Sequence, residues 1–410
     1  MINKLKILTL NLVLISSVFY FSTSIGFAQS EKAIYEKNKS RVSYVPGIKV
    51  TRGATKVIVA EHKSFCPAGS VFKYNNGDIH VYDKRSKDGG KTWQQTEHIL
   101  ENSTFQYPGP DGEVLMFRSQ NKGEGDSNAG RPEFSLQKTD KKGVFEVDFY
   151  RSKDNGLTRK YEPAKVYLPE ELYELTGVLC RKIIQIKDGS LLVSMYSRNT
   201  NGNSIENQFR SIALRSEDKG KTWHYLSTIA FDGKEDSRGE GFDETSILAL
   251  DNGKILSFLR SGASYQASLG SSNNNNWDNM MPFSYGIQSP IYLSSSIDGG
   301  KNWSIPDPIT EFGVWPDAIQ LENGITAVSY GRPGNWLMFN NSNVNESWGP
   351  IIPYYNGLYP PDCGNYVSIE EVAPNTLLVV YARTNPNDRW QSELVGTYFY
   401  VDKVVVKKRS

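Results

Sequence analysis

One eight-residue pattern, Ser-x-Asp-x-Gly-x-x-Trp, recurs four times along this chain of 410 residues. Only the second copy departs from it, with Arg159 in place of the final tryptophan. Successive copies lie about 64 to 80 residues apart, at 86–93, 152–159, 216–223 and 296–303. A repeat of this period indicates a solenoid, a propeller or an array, because each unit has to bury a face against its neighbour.

The residue types within each copy are those of a tight turn. Ser and Asp side chains form hydrogen bonds with nearby backbone amides, and glycine permits a positive φ. Each copy follows a β-rich stretch, such as 78–82 or 212–214. We therefore interpret the copies as hairpin turns, with the tryptophan packed inward at the start of the next strand. This interpretation gives the four aspartates, Asp88, Asp154, Asp218 and Asp298, a structural role.

A second repeated element lies between these turns, and it predicts the number of units. It consists of two apolar strands around a short turn that is mostly Asn-Gly or Asp-Gly, a strong hairpin signal. Six such elements occur, at 70–82, 105–117, 183–194, 246–259, 318–330 and 367–381. The sequence therefore predicts an all-β fold: a six-bladed β-propeller of four-stranded antiparallel blades, one domain over residues 50–410. A β-sandwich array is the alternative.

The first 28 residues have the features of a secretory signal peptide. Lys4 and Lys6 precede an apolar stretch from about Ile7 to Phe21, and Gly26-Phe27-Ala28 is a small-x-small cleavage site. A membrane anchor is the alternative, but the apolar stretch is short for a span. The sequence thus predicts export to the periplasm or the medium without a membrane anchor, with an N-terminal segment at 29–49 before the propeller.

Charge and cysteine content restrict the possible partners. The 46 basic residues balance 45 acidic ones, which argues against a basic nucleic-acid-binding protein. The three cysteines fit no zinc spacing, and no nucleotide or dinucleotide motif occurs. We therefore expect no cofactor and no metal, although a calcium site stays open, and we expect a monomer. Cys66 and Cys363 open the first and last predicted blades, which are neighbours in a closed ring, so they are candidates for a disulfide.

The repeated turns resemble the Asp-boxes, or bacterial neuraminidase repeats, of the sialidase superfamily. The resemblance covers nearly the whole predicted mature chain. It implies a propeller with the boxes on the face opposite the active site. The catalytic residues are then expected at the other end of the central funnel, and not among the four box aspartates.

Two segments resemble those that carry the catalytic pair of the superfamily. The segment 241–247 places Glu244 at the position of the catalytic glutamate, and 363–368 places Tyr366 at that of the nucleophilic tyrosine. Arg260 matches a substrate-binding arginine, and Arg332 is a further candidate. An arginine fork binds a sugar carboxylate, and a tyrosine nucleophile avoids the repulsion that a carboxylate nucleophile would meet.

The repeat suggests further residues around the same funnel. Asp317 opens the fifth blade as Glu244 opens the fourth, which makes it a candidate catalytic acid. Arg181 and Trp315 are candidates to line the pocket. The superfamily's first-blade arginine is missing, because Phe65-Cys66-Pro67 stands in its place, and Lys63 or Arg52 is a possible substitute. Arginines at the strand ends of successive blades are expected to converge on one anion-attracting zone: Arg118, Arg198, Arg260, Arg332 and Arg383.

Three functions are compatible with these residues. The first is an exo-acting, sialidase-like glycoside hydrolase that removes a terminal acidic sugar from an oligosaccharide or polysaccharide, with Tyr366 as nucleophile and Glu244 as its base. The second is β-elimination from a uronic acid by a lyase or dehydratase, with Tyr366 or a histidine as base; the candidate histidines are His62, His80 and His224. The third is a non-catalytic, glycan-binding propeller.

Overall fold

The structure is a computed structural model that describes most of the chain. Its described residues are 47–63, 70–97, 105–117, 136–172, 175–199, 208–232, 241–261, 290–341, 348–357, 366–385 and 387–404. The predicted signal peptide, Cys66, Cys363 and Arg118 lie outside the described residues, so the predictions made for them stay predictions. Within the described part of the chain, no helix is long and apolar enough to cross a membrane.

The first half of the described chain consists of one long strand, β1, eleven short strands and two single 3₁₀ turns, at Pro110–Gly112 and Glu170–Leu172. The strands are β1 (Ile48–Lys63), β2 (Val71–Lys73), β3 (Ile79–Val81), β4 (Lys84–Ser86), β5 (Gln94–Gln95), β6 (Phe105–Pro108), β7 (Val114–Phe117), β8 (Gln137–Lys138), β9 (Val144–Val147), β10 (Phe149–Ser152), β11 (Lys160–Tyr161) and β12 (Ala164–Tyr167).

Longer strands make up the second half. They are β13 (Leu175–Gln185), β14 (Leu191–Asn199), β15 (Arg210–Ser216), β16 (Thr222–Ala230), β17 (Phe242–Ala249), β18 (Ile255–Ser261), β19 (Ile291–Ser296), β20 (Asp307–Pro308), β21 (Val314–Gln320), β22 (Ile325–Gly331), β23 (Asn335–Asn341), β24 (Ile352–Tyr355), β25 (Val367–Ala373), β26 (Thr376–Asn385) and β27 (Asp388–Lys403).

These strands form small sheets arranged as a β-propeller. Five sheets have four strands, in the orders β2-β3-β4-β5, β6-β7-β10-β11, β17-β18-β19-β20, β21-β22-β23-β24 and β25-β26-β27-β1. Their innermost strands, together with β13, contact one another in succession, and β25 contacts β2. The all-β class and the propeller arrangement are therefore confirmed, and β1 completes the last sheet by pairing with β27 near the end of the chain.

The prediction of six four-stranded blades is wrong in its count, because five sheets have that form. The remaining sheet has seven strands, in the order β13-β14-β15-β16-β12-β9-β8. Its extra three strands, β8, β9 and β12, come from residues between the second and third predicted hairpins, at 105–117 and 183–194. They join through a parallel pairing in which Val166 of β12 lies opposite Trp223 of β16. Pairing with this edge satisfies the backbone groups of β16, which would otherwise face solvent.

Apolar clusters between neighbouring sheets hold the ring together. In one cluster the ring of Phe117 packs 4.9 Å from Phe149 and 5.3 Å from Trp223, measured between ring centroids. All three side chains are fully buried. Strands such as β7, β18 and β22 are buried along their whole length, on both faces of their sheets, and this burial of apolar side chains is the main stabilising contribution.

The four repeated turns have the predicted structure. In the third copy, the Gly220 amide donates to the Ser216 hydroxyl at 2.7 Å, and Asp218 accepts hydrogen bonds from the Ser216 hydroxyl and the Thr222 amide, each at 2.9 Å. The other three copies repeat these bonds. Trp223 is fully buried, as predicted, whereas Trp93 and Trp303 are half-buried against apolar clusters.

Strand register shows that the Asp-box turns lie at one end of the strands and Arg260 at the other. In the β17-β18-β19-β20 sheet, Arg260 lies opposite Asp243 on one side and Ile291 on the other. Ser296, which begins the fourth copy, lies opposite Ile255 at the other end of β18. The Asp-boxes and the Asp243–Arg260 end are therefore on opposite faces of the propeller.

Candidate active site

Two inner strands carry a β-bulge at equivalent positions near the face opposite the Asp-boxes. In β17 the register shifts between Asp243 and Ser246, and in β21 it shifts between Val314 and Asp317. The residues inside the bulges, Glu244 and Trp315, have φ of 36° and 51°. A bulge redirects the side chain of a strand residue, and such distortions concentrate near active sites.

The Glu244 carboxylate is the centre of the site. It is 5% exposed, and its Oε1 atom lies 2.6 Å from Nη1 of Arg260. The Tyr366 hydroxyl donates to the same Oε1 atom at 3.4 Å, and the Trp315 backbone N–H donates to Oε2 at 3.1 Å. Strands β18 and β21, together with Tyr366 just before β25, thus each contribute one group to the carboxylate that β17 carries.

Tyr366 lies against Trp315, with ring centroids 4.7 Å apart and the ring planes nearly perpendicular. Burial raises the pKa of the Tyr366 phenol, and the Glu244 charge raises it further. Arg332 and Arg260 act in the opposite direction without reversing the shift. The phenol therefore keeps its proton at neutral pH in the free protein, with a carboxylate positioned to accept it.

Arg260 is buried between two acidic side chains. Its Nε atom lies 3.8 Å from Asp243, in addition to its contact with Glu244. Burial acts to lower the pKa of Arg260, but the charges of Glu244 and Asp243 outweigh it and raise the pKa. The guanidinium is therefore permanently charged and offsets part of the negative charge of the two carboxylates.

Arg332 follows β22 directly, and its side chain is 5% exposed, with the backbone at a φ of 49°. Its charge reaches the Tyr366 hydroxyl strongly enough to oppose the rise in the pKa of that group. The structure thus brings Glu244, Tyr366, Arg260 and Arg332 together, as the sequence predicted. It adds Asp243 and the Trp315 backbone, which the sequence reading did not assign to the catalytic centre.

The predicted equivalence of Asp317 and Glu244 is wrong. The bulges align Glu244 with Trp315, so Asp317 matches Ser246, two residues further along its strand. Asp317 is fully buried and accepts hydrogen bonds from the Ser368 hydroxyl and from the backbone amides of Ala318 and Ile369. These bonds join β21 to β25, which favours a structural role over that of a catalytic acid.

The predicted convergence of arginines is only partly observed. The Arg383 side chain is 39% exposed and forms an ion pair with Glu393 across β26 and β27. Arg181 lies on β13 and Arg198 on β14, but their side chains are outside the described part of the structure. Arg52 lies on the outer strand β1 and donates to the Tyr354 carbonyl, so it does not replace the missing first-blade arginine.

The histidines considered as bases lie on strands that contribute no group to the site. His80 is fully buried in β3 and hydrogen bonded to Tyr74, and His224 of β16 stacks on Tyr167 of the neighbouring strand β12. His62 packs against Tyr82 at the end of β1. Among the described residues, no group of three or more His, Cys, Asp or Glu side chains could hold a metal ion.

The chain was compared with known proteins. Residues 75–395 match the BNR repeat-like domain family. This match covers most of the chain, and it coincides with the four Asp-box turns described above. The chain belongs to this family. A comparison with curated proteins gave no match.

Solved structures of the same architecture agree with this assignment. A protein of unknown function from Dyadobacter fermentans is 20% identical, with a TM-score of 0.62 over 87% of this chain and 100% of that one. An α-L-arabinanase from Penicillium chrysogenum is 16% identical, with a TM-score of 0.57 over 85% and 98%. The NanB sialidase from Streptococcus pneumoniae is 13% identical, with a TM-score of 0.51 over 88% and 71%. Because these sequence identities are low, the structural similarity shows the fold of this BNR-family protein and nothing more specific.

Proposed function

We propose that this BNR-family protein is a carbohydrate-active enzyme, a glycoside hydrolase that removes a terminal acidic sugar from an oligosaccharide or polysaccharide. The observation that carries the proposal is the hydrogen bond from Tyr366 to Glu244 beside the buried Arg260. A nucleophile next to its base, with the base oriented by a third group, is the arrangement expected for covalent catalysis. The sialidase and arabinanase folds of the solved relatives support a sugar substrate.

In the proposed first step, the Tyr366 oxygen attacks the anomeric carbon as the bond to the leaving oxygen breaks. The phenol proton passes to Glu244, and the leaving oxygen takes a proton from water. In the second step, the hydroxide that remains attacks the same carbon, the Tyr366–carbon bond breaks, and Glu244 returns its proton to the phenol. The 3.4 Å separation is loose for such a transfer, and bonds of this kind tighten when substrate binds.

Two arginines beside Tyr366 supply positive charge that can attract an acidic sugar. Arg260 and Arg332 both reach the phenol electrostatically, while Glu244 and Asp243 carry the opposing charge. A neutral tyrosine can approach a substrate carboxylate without the repulsion that an anionic nucleophile would meet, and sialidases are the known case. We propose that Arg332 attracts the substrate carboxylate, because its positive charge acts on the Tyr366 hydroxyl.

β-Elimination from a uronic acid remains the second candidate, favoured by the two arginines beside Tyr366. In that reaction Tyr366 would remove the proton next to the carboxylate, which requires a phenol that loses its own proton readily. The raised pKa of Tyr366 argues against this role, because the phenol of the free protein keeps its proton. A glycan-binding protein without catalysis is the third candidate.

One assay with two readouts tests the proposal. The purified protein is incubated with aryl sialosides and with oligosaccharides ending in glucuronate or iduronate. Released sugar is measured by chromatography, and a conjugated double bond by ultraviolet absorbance. We expect release of an acidic sugar without absorbance, and at least a roughly 100-fold loss of rate in Glu244→Gln and Tyr366→Phe.

Asp140→Ala, in an exposed turn before β9, is the control and should keep the parent rate. Rising absorbance would replace hydrolysis by β-elimination. Binding without any product, unchanged in Glu244→Gln and Tyr366→Phe, would instead support the glycan-binding alternative.

A further inference from the structure

Trp315 contacts both members of the proposed catalytic pair. Its backbone N–H donates to Oε2 of Glu244 at 3.1 Å, while Oε1 faces Arg260 and the Tyr366 hydroxyl. Its indole ring packs edge to face on the Tyr366 ring, 4.7 Å away and at 84°. One residue thus restrains the base through its main chain and the nucleophile through its side chain.

The backbone at Trp315 is unusual for such a large side chain. Its φ is 51°, in the left-handed region that costs an ordinary residue free energy and favours glycine. The conformation arises from the β21 bulge, where two residues lie between the pairs Val314–Gly331 and Asp317–Ser329. Without the bulge, the pleat of β21 would point this N–H and this ring in other directions.

The same geometry limits how Glu244 can rotate. Its two carboxylate oxygens accept from different partners, so a rotation that served one partner would break the bond to the other. The Trp315 ring in turn restricts Tyr366 on the side next to β21. Edge-to-face aromatic pairs have a preferred separation and orientation, which makes this contact directional as well as apolar.

We propose that Trp315 is a positioning residue that holds the Tyr366 hydroxyl in line with Oε1 of Glu244. The effect of Trp315 on turnover rests on the proposed function, whereas its effect on the position and surroundings of Tyr366 does not. Misplacement of a reacting group by about 1 Å can lower the rate by about 100-fold. The residue is expected to act on the rate of the chemical step rather than on substrate affinity.

Trp315→Gly and Trp315→Leu test this proposal, with Trp315→Phe as the conservative variant. Glycine keeps the N–H and adopts the positive φ readily, so it removes only the ring. Leucine retains bulk but lacks an aromatic edge. If the glycine variant does not fold, the leucine variant alone tests whether the aromatic ring is needed. We expect kcat to fall by about 10- to 100-fold in both, with KM within about threefold, and Trp315→Phe to retain most of the parent rate.

The second readout does not depend on activity. Position 366 is labelled with 3-fluorotyrosine, and its fluorine resonance is followed as pH is raised. Loss of the indole should change the resonance and bring the pKa of this phenol down toward its ordinary value, because water gains access to it. Trp315→Phe should restore the parent signal.

Lys219→Gly is the matched control. Lys219 has a φ of 58° in the third Asp-box, where two other copies already carry Gly89 and Gly299. Lys219→Gly therefore relieves backbone strain as Trp315→Gly does, but on the face opposite the site. It should leave kcat and the fluorine titration unchanged.

The outcomes separate the two proposals. Parent kcat and parent fluorine titration in both Trp315→Gly and Trp315→Leu would overturn the role of Trp315. If the parent protein shows no activity on any sugar, the proposed function fails, and the fluorine titration alone decides whether Trp315 positions Tyr366.

Discussion

At the scale of single residues, the Asp-box aspartates and Glu244 show how surroundings divide similar side chains between structure and chemistry. Asp154 accepts hydrogen bonds from the Ser152 hydroxyl and from the backbone and hydroxyl of Thr158. Every one of these donors belongs to its own turn. The donors to Glu244 come from other strands, and one of them is an ionisable hydroxyl. A turn aspartate of this kind stabilises a local conformation, whereas the contacts of Glu244 join separate segments of the chain, as the proposed function requires.

This difference predicts how Asp154 responds to acid. Slight burial acts to raise the pKa of Asp154, but the hydrogen bonds from Thr158 and Ser152 outweigh it and lower the pKa to about 2, from an ordinary value of 3.8. Because the folded pKa lies below the unfolded one, the stability that Asp154 contributes is present above pH 3.8. It is lost as the pH falls through about 2.

Asp154→Ala should therefore lower the free energy of unfolding at neutral pH by about 1 kcal/mol or less, since the site is open to solvent. The difference from the parent protein should shrink toward pH 2. Urea unfolding at several pH values measures this, with Asp140→Ala as control. A difference that does not depend on pH would contradict the prediction.

At the scale of elements, each Asp-box joins its own blade to a neighbouring one. In four copies the glycine that ends the turn approaches a side chain of the adjacent sheet: Tyr398 beside Gly90, Tyr74 beside Gly156, Phe149 beside Gly220 and Leu192 beside Gly300. The glycine is therefore required by packing between blades as well as by the turn. This explains why a local motif recurs in a fold whose units bury their faces against each other.

Gly220→Ala tests this packing role. The added Cβ atom would lie 2.7 Å from the ring of Phe149, at a residue whose φ is 76°. We expect a loss of about 1–2 kcal/mol for the left-handed backbone and a further 1–3 kcal/mol for overpacking. Chemical denaturation measures the total.

Gly189→Ala provides the comparison, because Gly189 has a φ of 87° and no atom within 4 Å of the added Cβ. It should cost only the backbone contribution. Equal losses of stability in the two variants would show that the contact with Phe149 is unimportant.

At the scale of the whole molecule, buried polar contacts cross the centre of the ring. Lys182 of β13 donates to the Ile369 carbonyl of β25 at 2.9 Å, and its Nζ atom lies 3.7 Å from Asp317 of β21. Asp317 in turn accepts from Ser368 and Ile369 of β25. Three inner strands are thereby linked directly beneath the level of Glu244, Trp315 and Tyr366.

Lys182→Met should therefore destabilise the protein, because it leaves the Asp317 charge buried without its cation. A loss of about 2 kcal/mol or more in the free energy of unfolding is expected, and adding Asp317→Asn should recover part of it. A double-mutant cycle by chemical denaturation measures the coupling. Additive effects of the two substitutions would show that the Lys182–Asp317 contact carries no coupling energy.

The sequence alone determined the features that depend on local pattern. Turn chemistry repeats wherever Ser, Asp and Gly stand at fixed spacing, so the Asp-box turns, the hairpins and the all-β class could be predicted. The resemblance of the segments around Glu244 and Tyr366 placed those residues, Arg260 and Arg332 at one site, and the structure brings these four together.

Only the tertiary structure decided the features that depend on pairing between distant segments. The parallel pairing of β12 with β16 produced a seven-stranded sheet and left five of four strands. The equivalent bulges in β17 and β21 align Glu244 with Trp315, so Asp317 lies two residues beyond that position and the Trp315 amide contacts Glu244. Register and bulges are set by contacts across a sheet, and a linear pattern of residue types does not contain them.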